Sequence, residues 1–195
     1  MSRTVRRYVP EVSSRDAFIA ATGRLLRRQG YDATGVNEIV GESGAPRGSL
    51  YFHFPGGKEE LALAAMLREG GKLRAAIASV MGSSDDPGTA LGRLVDALAH
   101  GLETSGFEDG CPIATVTLEA ATRSKGVQEA AAAIFDSWIQ ALEERLLAGG
   151  LDVSTARRRA VLALAAIEGA LILARARRDL EPLAAVREEL VSLLA

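Results

Sequence analysis

Hydrophobic residues recur every three to four positions through most of the chain, which matches the period of about 3.6 residues in an α-helix. The alternating polar and β-branched pattern of strands is nearly absent. Clusters of glycine, proline and serine separate the periodic segments. The pattern predicts an all-α fold with helices over residues 14–29, 36–43, 46–54, 58–81, 89–104, 112–123, 125–148, 154–178 and 183–194.

Residues 34–58, reading TGVNEIVGESGAPRGSLYFHFPGGK, predict two short helices joined by a tight turn. We expect the Thr34 hydroxyl to cap the first helix and Gly44 to end it in left-handed backbone, which glycine adopts at no steric cost. Pro46 suits the first turn of the second helix, because a missing N–H costs nothing there. Helix, turn and helix form a helix-turn-helix motif, and the first helix of the chain supplies its hydrophobic floor.

Charge is distributed unevenly along the 195 residues, whose formal net charge is −2. Residues 1–58 hold nine basic and five acidic side chains, a balance of +4 that leaves −6 for the rest. This asymmetry is expected when only the basic segment meets nucleic-acid phosphate. We therefore expect a DNA-binding domain over residues 1–58 and a helical domain over residues 59–195. Residues 1–12, with three arginines, are either a DNA-tracking arm or a solvated terminus.

The composition argues against several other classes of protein. A single cysteine, Cys111, rules out an intramolecular disulfide and a thiolate metal cluster. No glycine-rich phosphate loop or carboxylate pair stands out, and no motif joins Cys111 to His100, so neither an enzyme nor a cofactor is expected. The first residues lack the apolar segment of a secretory signal, and the longest apolar stretch, 160–174, is too short to span a bilayer. We expect a cytoplasmic protein without a membrane segment.

Residues 34–61 resemble the DNA-binding segment of the TetR family of bacterial transcriptional repressors. The features that carry this resemblance are Gly30-Tyr31 after the first helix, Thr34, Gly44, the run GSLYFHF at 48–54 and the run KEEL at 58–61. Ala45-Pro46 departs from the valine-serine pair that is commoner in the family. Further on, the runs GCPI at 110–113, LE at 118–119 and IEGA at 167–170 resemble the branch that includes the LmrA and YxaF type regulators.

The resemblance implies a double-stranded DNA operator as partner. The candidate DNA-binding residues are Thr34, Pro46, Arg47, Gly48, Ser49, Tyr51, His53 and Lys58. Arg47, at the start of the second short helix, is the candidate for reading a base, since a guanidinium grips guanine O6 and N7; a phosphate contact is the alternative. One short reading helix in each protomer implies that two protomers bind a palindromic operator.

Further candidates on the second short helix are expected to contact the phosphate backbone. The hydroxyls of Ser49 and Tyr51 can donate to phosphate oxygens, and Tyr51 shares a helix face with Arg47. Leu50 and Phe54, four positions apart, are expected to face the core instead.

The remaining candidates lie around the ends of the two helices. His53 and Lys58 are expected to flank a phosphate, unless His53 is only an exposed cap. Gly48 either lets the backbone approach the groove or relieves helix packing. Pro46 either contacts a base or only starts its helix, and the Thr34 hydroxyl is shared between the cap and a phosphate.

By the same resemblance, the last two helices pair with their copies in a second subunit and form a homodimer interface. The small residues expected to allow this approach are Ala163, Ala166, Gly169, Ala170 and Ala174, and the apolar stripe of the last helix is Leu183, Val186, Leu190 and Leu193. The alternative is that both are interior helices of a monomer.

The middle helices are then expected to surround a pocket for a small-molecule effector. The candidate ligand-binding residues are Phe107, Cys111, Val116, Glu119, Phe135, Trp138, Ile139 and Leu142. Helical spacing around Trp138 leaves ordinary core packing as the alternative. Glu119 and Glu168 lie in apolar runs, where they either pair with arginines such as Arg123 and Arg175 or orient a ligand.

The resemblance implies a ligand-responsive transcriptional repressor that binds its operator as a dimer. An inducer in the C-terminal region is expected to shift helix 58–81, change the spacing of the two DNA-reading units and release the operator. The alternative is a helical dimer that binds DNA constitutively, as an architectural or partner-recruiting protein without an inducer.

Overall fold

The computed structural model describes residues 13–194, which form nine helices and no strand, so the all-α prediction is confirmed. The helices are α1 (Ser14–Gln29), α2 (Val36–Ser43), α3 (Arg47–His53), α4 (Gly57–Met81), α5 (Pro87–Thr104), α6 (Pro112–Ala120), α7 (Lys125–Ala148), α8 (Val153–Arg177) and α9 (Glu181–Leu194). The arm predicted for residues 1–12 lies outside the described residues.

Each predicted helix is present, and the differences at the helix ends have local causes. Helix α5 begins at Pro87 rather than at residue 89, because the Asp86 carboxylate caps it and accepts from the Thr89 N–H at 2.7 Å. Helix α6 ends at Ala120 rather than at residue 123. There the Ser124 N–H closes a turn on the Ala120 carbonyl at 2.9 Å, and the Ser124 hydroxyl caps α7.

The helix-turn-helix motif is present, with one cap corrected. Gly44 ends α2 in left-handed backbone, with φ 64°, as predicted. The predicted Thr34 cap is wrong, because Gly35 occupies the cap position and the buried Thr34 hydroxyl donates to the Gly30 carbonyl at 2.6 Å. Pro46 has extended backbone and precedes the first turn, so α3 begins at Arg47.

Helices α1, α2 and α3 form a three-helix unit, called the head below. Leu50 and Phe54 are at most 1% exposed, which confirms that they face the core. They belong to the same hydrophobic cluster as Phe18 and Leu25 of α1 and Ile39 of α2. This core fixes α3 against the head and leaves the opposite side of α3 exposed.

Helix α4 joins the head to the other five helices, which form the body. It packs against α1 in the head and against α5, α6 and α7 in the body. The indole N–H of Trp138 on α7 donates to the Gly70 carbonyl of α4 at 2.9 Å, so this buried group is satisfied. Helix α8 packs against α7 and α9, and α9 also packs against α5. None of the helices within residues 13–194 is long and apolar enough to cross a membrane.

Candidate nucleic-acid interface and ligand cavity

The exposed side of α3 carries the candidates for reading DNA. Arg47 and Gly48 are exposed at its N-terminal end, and Tyr51 follows one turn later with 57% of its side chain exposed. A Cβ built on Gly57 would lie 3.9 Å from the Tyr51 ring, so Tyr51 lies beside the first turn of α4. The structure thus brings Arg47, Tyr51 and the start of α4 to one exposed region.

Phe52 was missed by the sequence reasoning, although it is 81% exposed. Its ring meets the His53 ring edge-on, with centroids 5.1 Å apart. Its spacing in the sequence could have revealed it. Phe52 is two positions from both Leu50 and Phe54, which places it on the side of the helix opposite to the core. An exposed phenyl ring beside Tyr51 adds an apolar contact surface to the exposed side of α3.

Four other candidates are held by contacts within the head and its junction with α4. The Ser49 hydroxyl donates to the Pro46 carbonyl at 2.7 Å, which closes the first turn of α3. His53 is half-buried. The Lys58 ammonium lies 4.4 Å from the centroid of the Tyr31 ring. Thr34 is buried, so the structure does not place its hydroxyl at the surface.

Part of the positive charge in the head is compensated inside the protein. Arg24 on α1 pairs with Glu42 of α2 at 2.8 Å, and Arg28 approaches the same carboxylate at 3.7 Å. Hydrogen bonding and attraction from Arg24 lower the pKa of Glu42. Arg27 turns toward the body, where it reaches Glu69 on α4 at 2.6 Å. Positive charge at the exposed side of the head therefore depends on fewer side chains than the count along the sequence indicates.

A cavity of about 510 Å³ lies where α4, α5, α6, α7 and α8 converge, and Arg27 of α1 reaches its wall. Its wall is mainly aliphatic. Of the eight candidate ligand-binding residues, Cys111, Trp138 and Leu142 line it. A volume of this size falls in the range of about 300–1,000 Å³ that is usual for small-molecule sites.

The other five candidates lie outside the cavity wall. Val116 is fully buried in the core. Phe135 packs edge-on against Trp138, with ring centroids 5.4 Å apart, and Ile139 is half-buried against the core. Phe107, in the loop between α5 and α6, lies under the Arg178 guanidinium at 5.8 Å. Glu119 points toward the head, as described below.

Polar groups occupy two separate parts of the cavity wall. At the end nearest the head, the Glu69 carboxylate accepts from Arg27 at 2.6 Å and from Lys72 at 2.7 Å, and Asp109 approaches Arg27 at 3.7 Å. Sequence reasoning missed this group, because its members come from α1, α4 and the loop before α6. The periodic pattern of one helix does not indicate which side chains of other elements it will contact.

The second polar part of the wall is Glu168 of α8 with Cys111. Burial raises the pKa of the Glu168 carboxyl, and a hydrogen bond from Cys111 opposes that rise. Burial and the neighbouring Glu168 raise the pKa of the Cys111 thiol. The ion pair considered between Glu168 and Arg175 does not form. Arg175 instead donates to the Arg28 carbonyl at 2.9 Å.

Glu119 of α6 holds the loop that follows α1. Its carboxylate accepts from the Tyr31 N–H at 2.5 Å and from the Asp32 N–H at 2.9 Å. The pair considered between Glu119 and Arg123 is replaced by a pair between Arg123 and Asp32 at 2.7 Å. Glu119 at the end of α6 and Arg123 in the turn after it thus hold the same loop of the head.

The last turn of α1 is also tied directly to the cavity wall. Carbonyls in the last turn of a helix have no partner within the helix and need one elsewhere. The Arg27 carbonyl accepts from the Gly110 N–H at 3.1 Å, and Gly110 lines the cavity. Arg27 itself contributes its side chain to the cavity wall. The residues that line the cavity at this point are therefore the same residues that hold the end of α1.

The residues expected at a dimer interface face two different ways. Ala163, Ala170, Ala174, Leu183 and Leu190 are at most 4% exposed and pack inside the protomer. Small side chains on this side of α8 serve the close approach of the neighbouring helices of the same chain. Their predicted place in an interface between subunits is therefore wrong for this side of the two helices.

The opposite side of α8 is apolar and uncovered in the protomer. Its exposed residues are Val161, Leu162, Ala165, Gly169, Ile172 and Leu173, and Leu193 of α9 is also exposed. The exposed positions of α8 recur at helical spacing, so they form one strip along that helix. Large exposed apolar patches of this kind mark interaction surfaces.

A helix-turn-helix head with an exposed second helix, on an all-α body with a cavity, is typical of DNA-binding transcriptional regulators. Residues 18–65 match the model of bacterial regulatory proteins of the tetR family, and residues 87–189 match that of the C-terminal domain of LmrA/YxaF-like transcriptional regulators. The chain belongs to the TetR family of transcriptional regulators, and to its branch with an LmrA/YxaF-like C-terminal domain. It is a regulator and not an enzyme.

Individual relatives agree with this assignment. An HTH-type transcriptional regulator of Mycobacterium tuberculosis is 37% identical over 185 residues, which cover 92% of this chain and 93% of the relative. The HTH-type transcriptional regulator LmrA of Bacillus subtilis is 34% identical over 170 residues, covering 87% and 90%. The fold is similar to that of a TetR transcriptional regulator from Legionella pneumophila, with a TM-score of 0.86 at 21% identity, over 96% of this chain and all of that one.

Proposed function

We propose that this protein is a ligand-responsive repressor that binds a palindromic operator as a homodimer and leaves it when a small molecule fills the cavity. The main support for the proposal is that a residue of the head forms part of the cavity wall. Arg27 of α1 lines the cavity, and its carbonyl accepts from Gly110, another lining residue. A ligand that displaces either residue changes the position of α1, and with it the position of α3.

On DNA, the head of each protomer presents α3 to the major groove. Arg47 reads a base, and Tyr51 and Lys58 contact phosphates on either side of it. Gly48 allows close approach, while Pro46, Ser49, His53 and the buried Thr34 hold the local backbone in place. Residues 1–58 and 59–195 divide these tasks as a DNA-reading part and a ligand-binding and dimerisation part. The operator, and hence the site of action, lies in the bacterial cytoplasm.

The second protomer covers the apolar strip of α8. The strip already carries large side chains such as Leu162, Ile172 and Leu173, each more than half exposed. Burial of apolar surface contributes about 25 cal/mol for each Å² removed from water. A closed twofold association through α8 and α9 gives the two heads a fixed separation, which a palindromic operator requires.

The inducer acts by a difference in affinity between two geometries. It releases DNA only if it binds the released arrangement of the heads more tightly than the DNA-bound one. By linkage, operator DNA then weakens inducer binding by the same factor. The described contacts suggest that α1 and α4 move together, since Arg27 on α1 pairs with Glu69 on α4.

The DNA-binding part of the proposal is tested with Lys58→Ala. Loss of one phosphate contact lowers affinity on all sequences alike and reduces the slope of log affinity against log salt by about 1. Fluorescence anisotropy with operator and unrelated duplexes at several salt concentrations measures both. Lys125→Ala, which removes an equal charge at the start of α7, is the control. Equal slopes for Lys58→Ala and Lys125→Ala contradict the assigned contact.

The inducible part is tested by combining a thermal-shift screen with operator release. Compounds that raise the melting temperature are expected to lower operator affinity. A compound that stabilises the protein through the cavity, yet leaves DNA affinity unchanged, supports the alternative of a constitutive DNA-binding dimer.

A further inference from the structure

Glu168 is the feature of the cavity that the DNA-binding proposal leaves without a role. It lies on α8 between Leu164 and Leu171, and all three residues line the cavity. The Cys111 thiol is its neighbour in the cavity wall. Within residues 13–194, none of the ion pairs involves Glu168. Glu168 is half-buried in a mainly apolar wall, where a carboxylate without a cationic partner is costly and needs an explanation.

The other charged groups of the cavity wall compensate one another. Glu69 lies within 2.7 Å of both Arg27 and Lys72, and Asp109 lies 3.7 Å from Arg27. Two cations thus meet two carboxylates at the end of the cavity nearest the head. Glu168 is left over, so the ionised wall has one negative charge in excess.

The rest of the cavity wall determines how polar the remainder of a ligand can be. It is built from leucine, isoleucine and alanine side chains together with the ring of Trp138. Such a surface favours an apolar body and offers it few hydrogen bonds. A negatively charged head group would face the surplus carboxyl of Glu168, and a neutral one would leave it without a charged partner.

We propose that the effector is an amphipathic organic cation, whose ammonium group pairs with Glu168 while its apolar body lies against the aliphatic wall. This inference rests on the proposed function, because it names the class of ligand for the same cavity. The protein supplies the counter-ion, and the ligand supplies the charge that Glu168 lacks. A charge-assisted hydrogen bond of this kind is about twice as strong as one between neutral groups.

Three probes with one apolar chain and different head groups test the proposal: decylamine, decanol and decanoate, each below its micelle concentration at neutral pH. Trp138 is the sole tryptophan of the chain and lines the cavity, so its fluorescence reports binding there. We expect decylamine to bind about tenfold more tightly than decanol, with decanoate weakest, because about 1.4 kcal/mol of added attraction corresponds to a factor of ten. Equal affinities for the three probes, or tightest binding of decanoate, overturn the proposal.

Two variants tie the preference to one side chain. Glu168→Gln keeps the shape of the side chain and is expected to weaken decylamine about tenfold while changing decanol by less than about twofold. Unchanged binding of decanol shows that the cavity of the variant is intact. Glu103→Gln removes the same charge from the exposed surface of α5 and is expected to change neither probe. A loss of decylamine binding that is equal in both variants overturns the proposal.

Operator release separates this inference from the proposed function. Decylamine that binds through Glu168 and also lowers operator affinity supports both. Decylamine that binds through Glu168 without affecting the operator supports the ligand class and contradicts induction. Operator release by decanoate or decanol, with no preference for the amine, supports induction and overturns the ligand class.

Discussion

Replacing Glu119 by alanine tests whether α6 holds the loop after α1. The Glu119 carboxylate accepts from the Tyr31 N–H at 2.5 Å and from the Asp32 N–H at 2.9 Å. Hydrogen bonds to a charged group contribute about 1.5–3 kcal/mol each. Asp32 is exposed, so water replaces part of its bond in the variant. We therefore expect the free energy of unfolding to fall by about 3 kcal/mol, at the lower end of the sum for two such bonds.

The loss of the Glu119 carboxylate is also expected to lower the melting temperature of the protein. For a chain of this length about 1 kcal/mol corresponds to about 2–4 °C, so Glu119→Ala is expected to lower the Tm by about 6–12 °C. Glu119→Gln keeps an acceptor oxygen and loses only the charge, so about 1 kcal/mol is expected. Circular dichroism during urea and thermal unfolding measures both variants, at one protein concentration because association affects stability.

Arg123→Ala is the matched control, because Arg123 acts on the same loop from the turn that follows α6. It removes an ion pair with Asp32 in which both side chains are 58% exposed. Exposed pairs of this kind contribute less than about 1 kcal/mol. A cost of Glu119→Ala no larger than that of Arg123→Ala refutes the reasoning, since the loop would then not depend on the Glu119 carboxylate.

Three further changes have defined outcomes. Gly30→Ala places a Cβ 2.2 Å from a Glu119 carboxylate oxygen in backbone with φ +80°, whereas Gly44→Ala places one in open space with φ +64°. In urea titrations both variants should lose about 1–2 kcal/mol of unfolding free energy to backbone strain. Gly30→Ala should lose more, because its Cβ also clashes with the carboxylate. Burial raises the folded-state pKa of Glu168 above 4.5, so the native state binds more protons and this contribution to stability is lost as pH rises through the folded-state pKa. The wild type should therefore lose stability relative to Glu168→Gln as pH rises above 4.5, by at most about 1.4 kcal/mol per pH unit. Unfolding free energies from urea titrations that change equally with pH in both proteins would contradict this. Ile172→Glu puts a charge into the apolar strip of α8 and should shift a dimer toward monomer in analytical ultracentrifugation; an unchanged sedimentation coefficient argues against that interface.

The helices were predictable because their signals are local. Periodicity and turn residues predicted each of the nine helices within residues 13–194, and Gly44 has the left-handed backbone expected of a glycine turn. Helix caps were less predictable, since a hydroxyl can either accept from the N–H groups of the next helix or donate to a nearby carbonyl. Thr34 faces inward to a carbonyl of the preceding loop, and Asp86 caps a helix two residues earlier than expected.

The site was less predictable because its residues meet across long separations in sequence. Glu119 contacts a backbone 88 residues earlier, and Arg27 reaches Glu69 across 42 residues. Neither contact leaves a mark in the spacing of either helix. Cys111, Trp138 and Leu142 were predicted at the cavity because ligand pockets have mostly apolar walls. They do line it, whereas Val116 is equally apolar and lies wholly in the core.

Helix α8 shows what a periodic pattern leaves undetermined. Apolar residues occur around most of its circumference, which indicates burial on more than one side. The protomer covers the side with Ala163, Ala170 and Ala174, where small side chains let neighbouring helices come close. Larger side chains, including Leu162 and Ile172, remain on the uncovered side. A single protomer therefore accounts for half of the pattern, and we infer that a second copy, packed on the larger side chains, accounts for the other half.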